Sequence, residues 1–245
     1  MNRSPVVLIT GSSRGIGAAT ALYFAKHGYD VCINYKADLA SAKLVADQVR
    51  SFGVRAQVIK ADVSKEADVL ALFDFIDKEF SQLDVLINNA GILKPQMPLL
   101  EMSAKRINEV LTTNITSAFL CSREAIKRMR NGGSIVNVSS RAAKTGSPNE
   151  YIDYAASKGA MDTFTIGLAK EVASKGIRVN SVRPGLIYTD MHSDGGEENR
   201  VDRLKSKLPL GRGGTSEEVA AAIYFLASEH ASFTTGSFVD VAGGL

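Results

Sequence analysis

The chain has 245 residues, of which 45% are hydrophobic, and a formal net charge of +3. This length supports one large core and is compatible with a single α/β domain, while the small charge, spread without a basic stripe, argues against nucleic acid and membrane partners. Cys32 and Cys121 lie far apart in apolar stretches, which favours buried reduced thiols in a cytoplasmic protein over a disulfide or metal site. The apolar run 6–9 is too short for a signal peptide or membrane span.

Short apolar runs rich in β-branched residues recur along the chain, and most are followed by helical periodicity. Because strands that are apolar on both faces alternate with helices, the pattern predicts a parallel sheet covered on both sides. We therefore expect an α/β chain, residues 1–245, folded as a single-domain Rossmann fold with a doubly wound seven-stranded parallel sheet. Predicted strands cover 6–9, 31–34, 56–59, 85–87, 134–138, 178–182 and 238–241, and predicted helices cover 15–28, 39–52, 67–80, 103–129, 151–174 and 217–227.

A glycine-rich turn follows the first strand, with Gly11, Gly15 and Gly17 in the spacing that lets a backbone approach a pyrophosphate at a helix N-terminus. Three glycines alone are a weak signal, because glycine also serves ordinary turns. Their position directly after the first strand strengthens it. A nucleoside-triphosphate loop is disfavoured, since Ala18 and Ala19 stand where that motif requires Lys and then Ser or Thr. The turn predicts a dinucleotide.

The residues after the second strand bear on which dinucleotide binds. An acidic residue there holds ribose hydroxyls, whereas a basic one accommodates a 2′-phosphate. The chain has Lys36 at this point and Arg14 in the glycine turn, so we predict NADP(H) in preference to NAD(H). The alternative for Lys36 is an ordinary solvated charge, and the alternative for Asp38 is the cap of the next helix.

Tyr154 and Lys158 are one helical turn apart, which brings their Cβ atoms within about 5 to 6 Å. An ammonium at that distance favours the ionised phenol and makes the tyrosine usable as an acid or base. Ser140 lies at a strand end fourteen residues before Tyr154, and the neighbouring Ser139 should point to the opposite side of the extended segment. A lone tyrosine such as Tyr151 is more often a packed residue.

Asn114 lies within residues 111–116, a run of weak helix formers in the middle of the longest predicted helix. This local conflict with the helical pattern indicates a functional position. The alternative is an asparagine satisfied by neighbouring backbone. The polar stretch 189–209 is predicted to be irregular and to form a lid, with Gly195 and Gly196 as a hinge. His192 in this lid is expected to be solvated, and no residue cluster has zinc spacing.

With these motifs together, the chain resembles the short-chain dehydrogenase/reductase family over its whole length. Within that family it is similar to bacterial glucose-dehydrogenase-like oxidoreductases of undetermined substrate and, less closely, to 3-oxoacyl-carrier-protein reductases. The resemblance rests on Thr10-Gly11-x-x-x-Gly15-x-Gly17, Asp62-Val63, Asn88-Asn89-Ala90-Gly91, Asn114, Ser140, Tyr154-x-x-x-Lys158 and Pro184-Gly185.

The resemblance implies roles for individual residues. Asn114, Ser140, Tyr154 and Lys158 would be catalytic. The helix around Asn114 would be locally distorted, as distortions of that kind concentrate at functional sites, and its backbone carbonyl would hold a water that extends the proton relay through Lys158. Asp62 would flank the adenine, although it could instead cap the helix near Ala67, and residues 88–91 would form the cofactor floor, although they also suit an ordinary turn. The implied cofactor contacts are Gly11, Ser13, Arg14, Gly15, Ile16, Gly17, Tyr35, Lys36, Asp62, Val63, Asn88, Ala90, Gly91, Tyr154, Lys158, Pro184, Gly185, Ile187 and Thr189.

The implied function is hydride transfer between NADP(H) and a carbonyl or secondary alcohol of the ketone or 3-oxoacyl type. The alternatives are a glucose-like sugar dehydrogenase and, from another class, a dinucleotide-binding regulator without turnover. Residues 92–98, 141–151 and the lid would frame the substrate pocket. The resemblance also implies a homotetramer built from the helices after the fourth and fifth strands and from the C-terminal strand.

Overall fold

The seven predicted strands form one parallel sheet in the computed structural model, which describes residues 4–245. The strand order is β3-β2-β1-β4-β5-β6-β7, which confirms the doubly wound arrangement. Observed strand ends lie within two residues of the predicted ones. The strands are β1 (Val6–Ile9), β2 (Asp30–Tyr35), β3 (Ala56–Lys60), β4 (Val85–Asn88), β5 (Gly133–Val138), β6 (Ile177–Pro184) and β7 (Phe238–Val241).

Helices cover both faces of the sheet. Alternate residues of a strand point to opposite faces, so Val7 and Ile9 of β1 pack into one core while Val6 and Leu8 pack into the other. The first core receives side chains from α1, α2 and α10, and the second from α3, α5 and α7. The helices are α1 (Gly15–Lys26), α2 (Leu39–Arg50), α3 (Glu66–Glu79), α4 (Ala104–Leu111), α5 (Ser117–Arg128), α6 (Ala142–Thr145), α7 (Ile152–Val172), α8 (Met191–Asp194), α9 (Arg200–Leu204) and α10 (Ser216–Ala227).

Three regions differ from the sequence-based expectation. The predicted helix 103–129 is interrupted by a π-helical turn, Thr112–Thr116, that separates α4 from α5. The stretch 189–209, predicted to be irregular, contains the short helices α8 and α9, and α6 was not predicted. Each of these three helices has only four or five residues, and the residues that precede them, Arg141, Asp190 and Asn199, give no side-chain capping bond.

The sheet positions a cleft where its strand order reverses. β1 pairs with β2 on one side and with β4 on the other, so the segments that follow β1 and β4 diverge to opposite faces. In open parallel sheets, ligands bind at such a point, outside the carboxyl ends of the strands. Thr10 joins the two segments, because its Oγ1 accepts hydrogen bonds from the amides of Asn89 and Ala90, each at 3.0 Å. Within residues 4–245, no helix combines the length and the apolar character needed to cross a membrane.

Candidate active site

A cleft of about 530 Å³ lies above the reversal point of the sheet. The predicted site residues line this one cleft, with two exceptions, Asn88 and Asn114. The three segments predicted to frame a substrate pocket also contribute to it, through Leu93, Tyr151 and Met191 among others. Within the described chain, no group of three or more His, Cys, Asp or Glu side chains is arranged to hold a metal ion.

The glycine turn has the shape that a pyrophosphate requires. Gly11 has a φ of +62°, in the left-handed region that favours glycine. A Cβ at Gly17 would lie 2.5 Å from the Gly11 carbonyl oxygen and 2.6 Å from Asn89 Nδ2, so only glycine lets α1 pack this closely. The Arg14 side chain gives no capping bond to the first turn of α1. The cradle therefore fits a dinucleotide phosphate, with backbone amides as donors.

Two asparagines fix this turn from below. Asn34 Oδ1 accepts from the Gly11 amide at 3.1 Å, and its Nδ2 donates to the Ala61 carbonyl at 3.1 Å. Asn89 Nδ2 donates to the carbonyls of Thr10 and Gly11. The neighbouring Asn88 instead points into the interior, where its Nδ2 donates to Ser122 and Asn137. Asn88 therefore supports the sheet and does not reach the cleft with its side chain.

Both cations predicted near a 2′-phosphate line the cleft, and both contact carboxylates. Lys36 Nζ lies 3.0 Å from Asp62 Oδ2, while Arg14 pairs with Asp194 and lies 3.9 Å from Asp190 in the stretch 189–209. Burial acts to raise the pKa of Asp62, but hydrogen bonds from Ser64 and Lys36 hold it below its usual value.

Helix capping was the alternative role for both Asp38 and Asp62, and the structure bears it out for Asp38 alone. Asp38 caps α2, because its carboxylate accepts from the Ser41 amide at 2.9 Å. Asp62 does not cap α3. Its Oδ1 accepts from Ser64 Oγ at 2.6 Å, and Lys65 occupies the position before the helix. Asp62 is therefore held at the cleft wall by its own turn.

Ser140, Tyr154 and Lys158 meet at the opposite end of the cleft. The Ser140 side chain acts on the Tyr154 phenol by lowering its pKa, and Ser140 Oγ accepts from the Ala142 amide at 3.1 Å. Lys158 is 3% exposed, its Nζ donates to the Val138 carbonyl at 2.7 Å, and that nitrogen lies 5.5 Å from the centre of the Tyr154 ring. Three polar groups thus converge on one small volume.

The electrostatics of this corner correct one expectation. Burial raises the pKa of Tyr154, and the Ser140 side chain opposes that rise only in part, so the phenol is protonated at neutral pH. The ammonium of Lys158 does not dominate, because it is itself buried and turned toward the Val138 carbonyl. Burial lowers the pKa of Lys158 to about 8, while the nearby Asp162 carboxylate acts in the opposite direction. The arrangement therefore suits Tyr154 as an acid.

Ser139 and Ser140 point to opposite sides, as the alternation of an extended segment predicts. Ser139 is 2% exposed, and its Oγ lies 2.7 Å from Asp162 Oδ1 and 3.1 Å from the Lys158 carbonyl oxygen. Its hydroxyl is therefore used inside the protein. Ser140 is the serine that faces Tyr154.

Asn114 lies in the π-helical turn, so the predicted distortion is present. Its side chain is fully buried: Oδ1 accepts from the Ile92 amide at 2.7 Å, and Nδ2 donates to the Ile92 carbonyl at 3.0 Å and to Ser157 Oγ at 3.1 Å. Neighbouring backbone thus satisfies the side chain, as the alternative proposed. A Cβ at Gly91 would lie 3.5 Å from Asn114 Oδ1 and 3.6 Å from Lys158 Nζ, which places this asparagine directly behind the cleft wall.

The stretch 189–209 closes one side of the cleft through polar contacts. Arg200 pairs with Glu150 at 2.5 Å and with Glu197 at 2.9 Å, and its guanidinium lies 5.1 Å from the centre of the Tyr151 ring. Tyr151 donates to the Gly195 carbonyl at 3.2 Å. No sequence motif marks Arg200 or Asp194. Their partners are distant along the chain, and only the residue types, charges in a polar loop, could have suggested pairing.

His192 corrects another expectation, because it is partly buried and not solvated. Its Nε2 lies 3.0 Å from the Ile187 carbonyl oxygen, so that nitrogen carries the proton, and Nδ1 is buried with no partner among the described residues. Burial lowers the pKa of His192, so the ring is neutral at neutral pH. It packs the base of α8 against the segment that follows β6.

Comparisons with known proteins agree with this geometry. A family model described as "Enoyl-(Acyl carrier protein) reductase" matches residues 11–245. The chain is 56% identical over 244 residues to the uncharacterized oxidoreductase YgfF of Escherichia coli, covering 98% of this chain and 99% of that protein. It is 35% identical over 247 residues to the 3-oxoacyl-[acyl-carrier-protein] reductase FabG of Staphylococcus aureus, covering 100% and 99%. The solved structure of a short-chain type dehydrogenase/reductase from Mycobacterium marinum superimposes with a TM-score of 0.93 at 32% identity, covering 98% of this chain and 94% of that one.

Proposed function

Because the chain belongs to the short-chain dehydrogenase/reductase family, and is therefore an NAD(P)-dependent oxidoreductase, we propose that it uses NADP(H) to interconvert a ketone or 3-oxoacyl group and a secondary alcohol. One observation carries the proposal. Ser140, Tyr154 and Lys158 converge at one end of a cleft whose other end is the glycine turn. This assembly argues against a regulator without turnover, which would have no use for it.

In the proposed reduction, the hydroxyls of Ser140 and Tyr154 donate hydrogen bonds to the substrate carbonyl oxygen. Bound nicotinamide supplies the hydride to the carbonyl carbon. Tyr154 then transfers its proton to the oxygen, consistent with a phenol whose pKa is raised by burial. Lys158 binds the ribose hydroxyls beside the tyrosine. Oxidation of an alcohol uses the same atoms in reverse, with Tyr154 as the base.

The cofactor preference rests on Arg14 and Lys36. Both side chains line the end of the cleft that also contains Tyr35, Asp62 and Val63, where the adenosine would lie. We propose that a 2′-phosphate takes the place of their present carboxylate partners. Titration of the protein with NADPH and NADH tests this, and equal affinities would contradict it.

The substrate end of the cleft favours a ketone over a sugar. Its walls include the apolar side chains of Ile92, Leu93, Leu186 and Met191. The cation there, Arg200, is neutralised by two glutamates. A sugar requires several well-placed hydrogen-bonding groups, whereas an acyl or alkyl chain requires apolar surface. The 3-oxoacyl substrate named for the FabG relative is consistent with this.

We further propose a cytoplasmic homotetramer with residues 189–209 as its substrate lid. Exposed apolar side chains on α5 and α7 support assembly: Phe119 is 52% exposed and Ile166 is 41% exposed. The buried thiols Cys32 and Cys121, whose pKa burial raises to about 12, are consistent with a reducing compartment. Light scattering on the purified protein tests the tetramer, and a monomer at micromolar concentration would contradict it.

The activity is tested by following loss of NADPH absorbance with 3-oxoacyl thioesters, diketones and simple ketones, and by running sugars in the reverse direction. Tyr154→Phe should lower turnover by about 10²- to 10⁴-fold, the usual contribution of a general acid. Tyr151→Phe is the matched control, since it removes a phenol hydroxyl at the same cleft and should retain turnover. Near-normal activity of Tyr154→Phe would refute the assignment.

A further inference from the structure

The two residues that flank Ser140 are both anchored to strand β6. The Ser139 amide donates to the Val182 carbonyl and the Arg141 amide donates to the Pro184 carbonyl, each at 2.9 Å. The residue of β6 between these two acceptors is Arg183, which is 8% exposed. Arg183 therefore lies beside Ser140 in the sheet, although it does not line the cleft.

The side chains of Ser139 and Arg141 each bind a carboxylate, and Arg183 contacts both of these carboxylates. Ser139 Oγ donates to Asp162 Oδ1 at 2.7 Å, and Arg141 donates to Asp240 Oδ2 at 2.5 Å. Arg183 binds Asp162 Oδ2 through Nε and a terminal nitrogen, both at 2.9 Å, and reaches Asp240 Oδ1 at 3.5 Å. One guanidinium thus closes a ring of contacts around Ser140.

The bridge is held in place by its surroundings. The Arg183 guanidinium carbon lies 3.8 Å from the centre of the Phe238 ring on the neighbouring strand β7. Asp162, 7% exposed, is one turn after Lys158 on α7 and is the carboxylate whose charge acts to raise the pKa of that lysine. An arginine suits this position because its planar fork can bind two acceptors at fixed angles, which a lysine cannot do.

We propose that Arg183 is a positioning residue for the reaction: acting through Asp162 and Asp240, it holds Ser139 and Arg141 and thereby aims Ser140 at Tyr154 and the substrate oxygen. This inference rests on the proposed function of Ser140 and Tyr154. The charged groups that face this corner are Lys158 and Asp162 from α7, Arg183 from β6, Asp240 from β7 and Arg141 after β5.

The test compares Arg183→Lys, which keeps the charge and loses the fork, with Arg178→Lys as a matched control. Arg178 lies on the same strand but donates to the carbonyls of Leu226, Ala227 and Ser228 at the far end of α10. Both variants should lower the melting temperature. Turnover per NADPH-binding site should fall about tenfold or more in Arg183→Lys alone, with NADPH affinity unchanged, because a small misplacement of a catalytic group costs rate and not binding.

A second measurement does not depend on turnover. Ultraviolet titration of tyrosinate, taken as the difference between each protein and its Tyr154→Phe counterpart, reports the ionisation of Tyr154. The Ser140 side chain acts to lower the pKa of Tyr154, so a displaced Ser140 should move this ionisation to higher pH in Arg183→Lys and leave it in place in Arg178→Lys.

The outcomes separate cleanly. If Arg183→Lys loses only stability, like its control, the proposal is overturned. If the wild-type protein turns over no substrate, the proposed function fails, and the tyrosinate titration alone decides the role of Arg183. If Arg183→Lys does not fold, Asp240→Asn takes its place, because it removes the carboxylate that binds Arg141. Turnover should fall and the ionisation of Tyr154 should move to higher pH, both by less than in Arg183→Lys. Unchanged turnover and an unchanged ionisation of Tyr154 in Asp240→Asn would overturn the proposal.

Discussion

Two parts of the cleft wall, the corner of Ser140, Tyr154 and Lys158 and the stretch 189–209, are held by different kinds of contact. The corner of Ser140, Tyr154 and Lys158 rests on groups that are nearly inaccessible, such as Asn114 and Asp162. The proposed lid, residues 189–209, is held partly by exposed ion pairs, such as Arg14 with Asp194, and partly by the less exposed pairs of Arg200 with Glu150 and Glu197. Buried polar contacts are costly to break, whereas exposed pairs contribute little. We infer that the corner of Ser140, Tyr154 and Lys158 stays rigid, whereas residues 189–209 can move to open the cleft.

If the buried charge of Lys158 lowers the stability of the protein, replacing Lys158 by an uncharged residue should raise the melting temperature. Burial lowers the pKa of Lys158 from 10.5 to about 8, so between those values the unfolded chain binds more protons than the folded one. Stability therefore rises with pH across this window, and the cost of the buried charge is fully present below about pH 8.

Lys158→Met should abolish turnover and raise the melting temperature near neutral pH, since it removes that cost. The difference in melting temperature between Lys158→Met and wild type should shrink as the pH rises from about 8 to 10.5. Loss of the hydrogen bond to Val138 lowers the melting temperature of the variant by an amount that does not depend on pH, so it does not affect this trend. Thermal unfolding of both proteins at about pH 7 and about pH 9.5 measures this. A difference in melting temperature that does not change with pH would show that burial does not lower the pKa of Lys158.

The next effect concerns Asn114, which connects the corner to the segment after β4. Asn114→Ala removes three hydrogen bonds and leaves the amide of Ile92 without this acceptor. We expect turnover to fall by about a hundredfold, because the cleft wall beside Lys158 shifts. Asn108→Ala, an exposed asparagine on α4, is the control and should retain turnover. Equal behaviour of the two variants would assign Asn114 no part in the site.

The same contrast explains what the sequence could predict. Tyr154 and Lys158 are one turn apart on one helix, so their proximity follows from local geometry. The weak helix formers around Asn114 marked a functional position, the family resemblance implied a distorted helix there, and a π-turn is present. The doubly wound parallel sheet followed from the alternation of strands and helices.

What the sequence could not predict depends on contacts between distant residues. Arg14 and Asp194 are 180 residues apart, and their pairing depends on how residues 189–209 pack against the glycine turn. The bridge of Arg183 between Asp162 and Asp240 depends on the register of β6 with β7. The pKa of Tyr154 was misjudged for a related reason, since the degree of burial is a property of the packed structure.

On the lid side, smaller effects are expected. Glu150→Gln weakens the strongest contact of Arg200, leaving Glu197 as its charged partner. The KM for the ketone should rise about fivefold while kcat changes little, because the lid closes less firmly and the corner is untouched. Glu198→Gln makes the same change at an exposed glutamate with no ion pair among the described residues, and its KM should not move. A fall in kcat with constant KM would place Arg200 in the chemistry.

The smallest effect concerns the competition for Arg14. If Asp194 must release Arg14 before a 2′-phosphate can bind, Asp194→Asn should tighten NADPH binding by about threefold, the scale of one exposed ion pair. NADH lacks that phosphate, so its affinity should not change. Asp202→Asn removes an equal charge from the lid without touching Arg14, since Asp202 pairs with Lys205, and it controls for general electrostatics. Because exposed charges are screened, the gain should fade at high salt. A gain shared by NADH, or by Asp202→Asn, would mean that the lid carboxylate acts on the field of the whole cleft and not on Arg14.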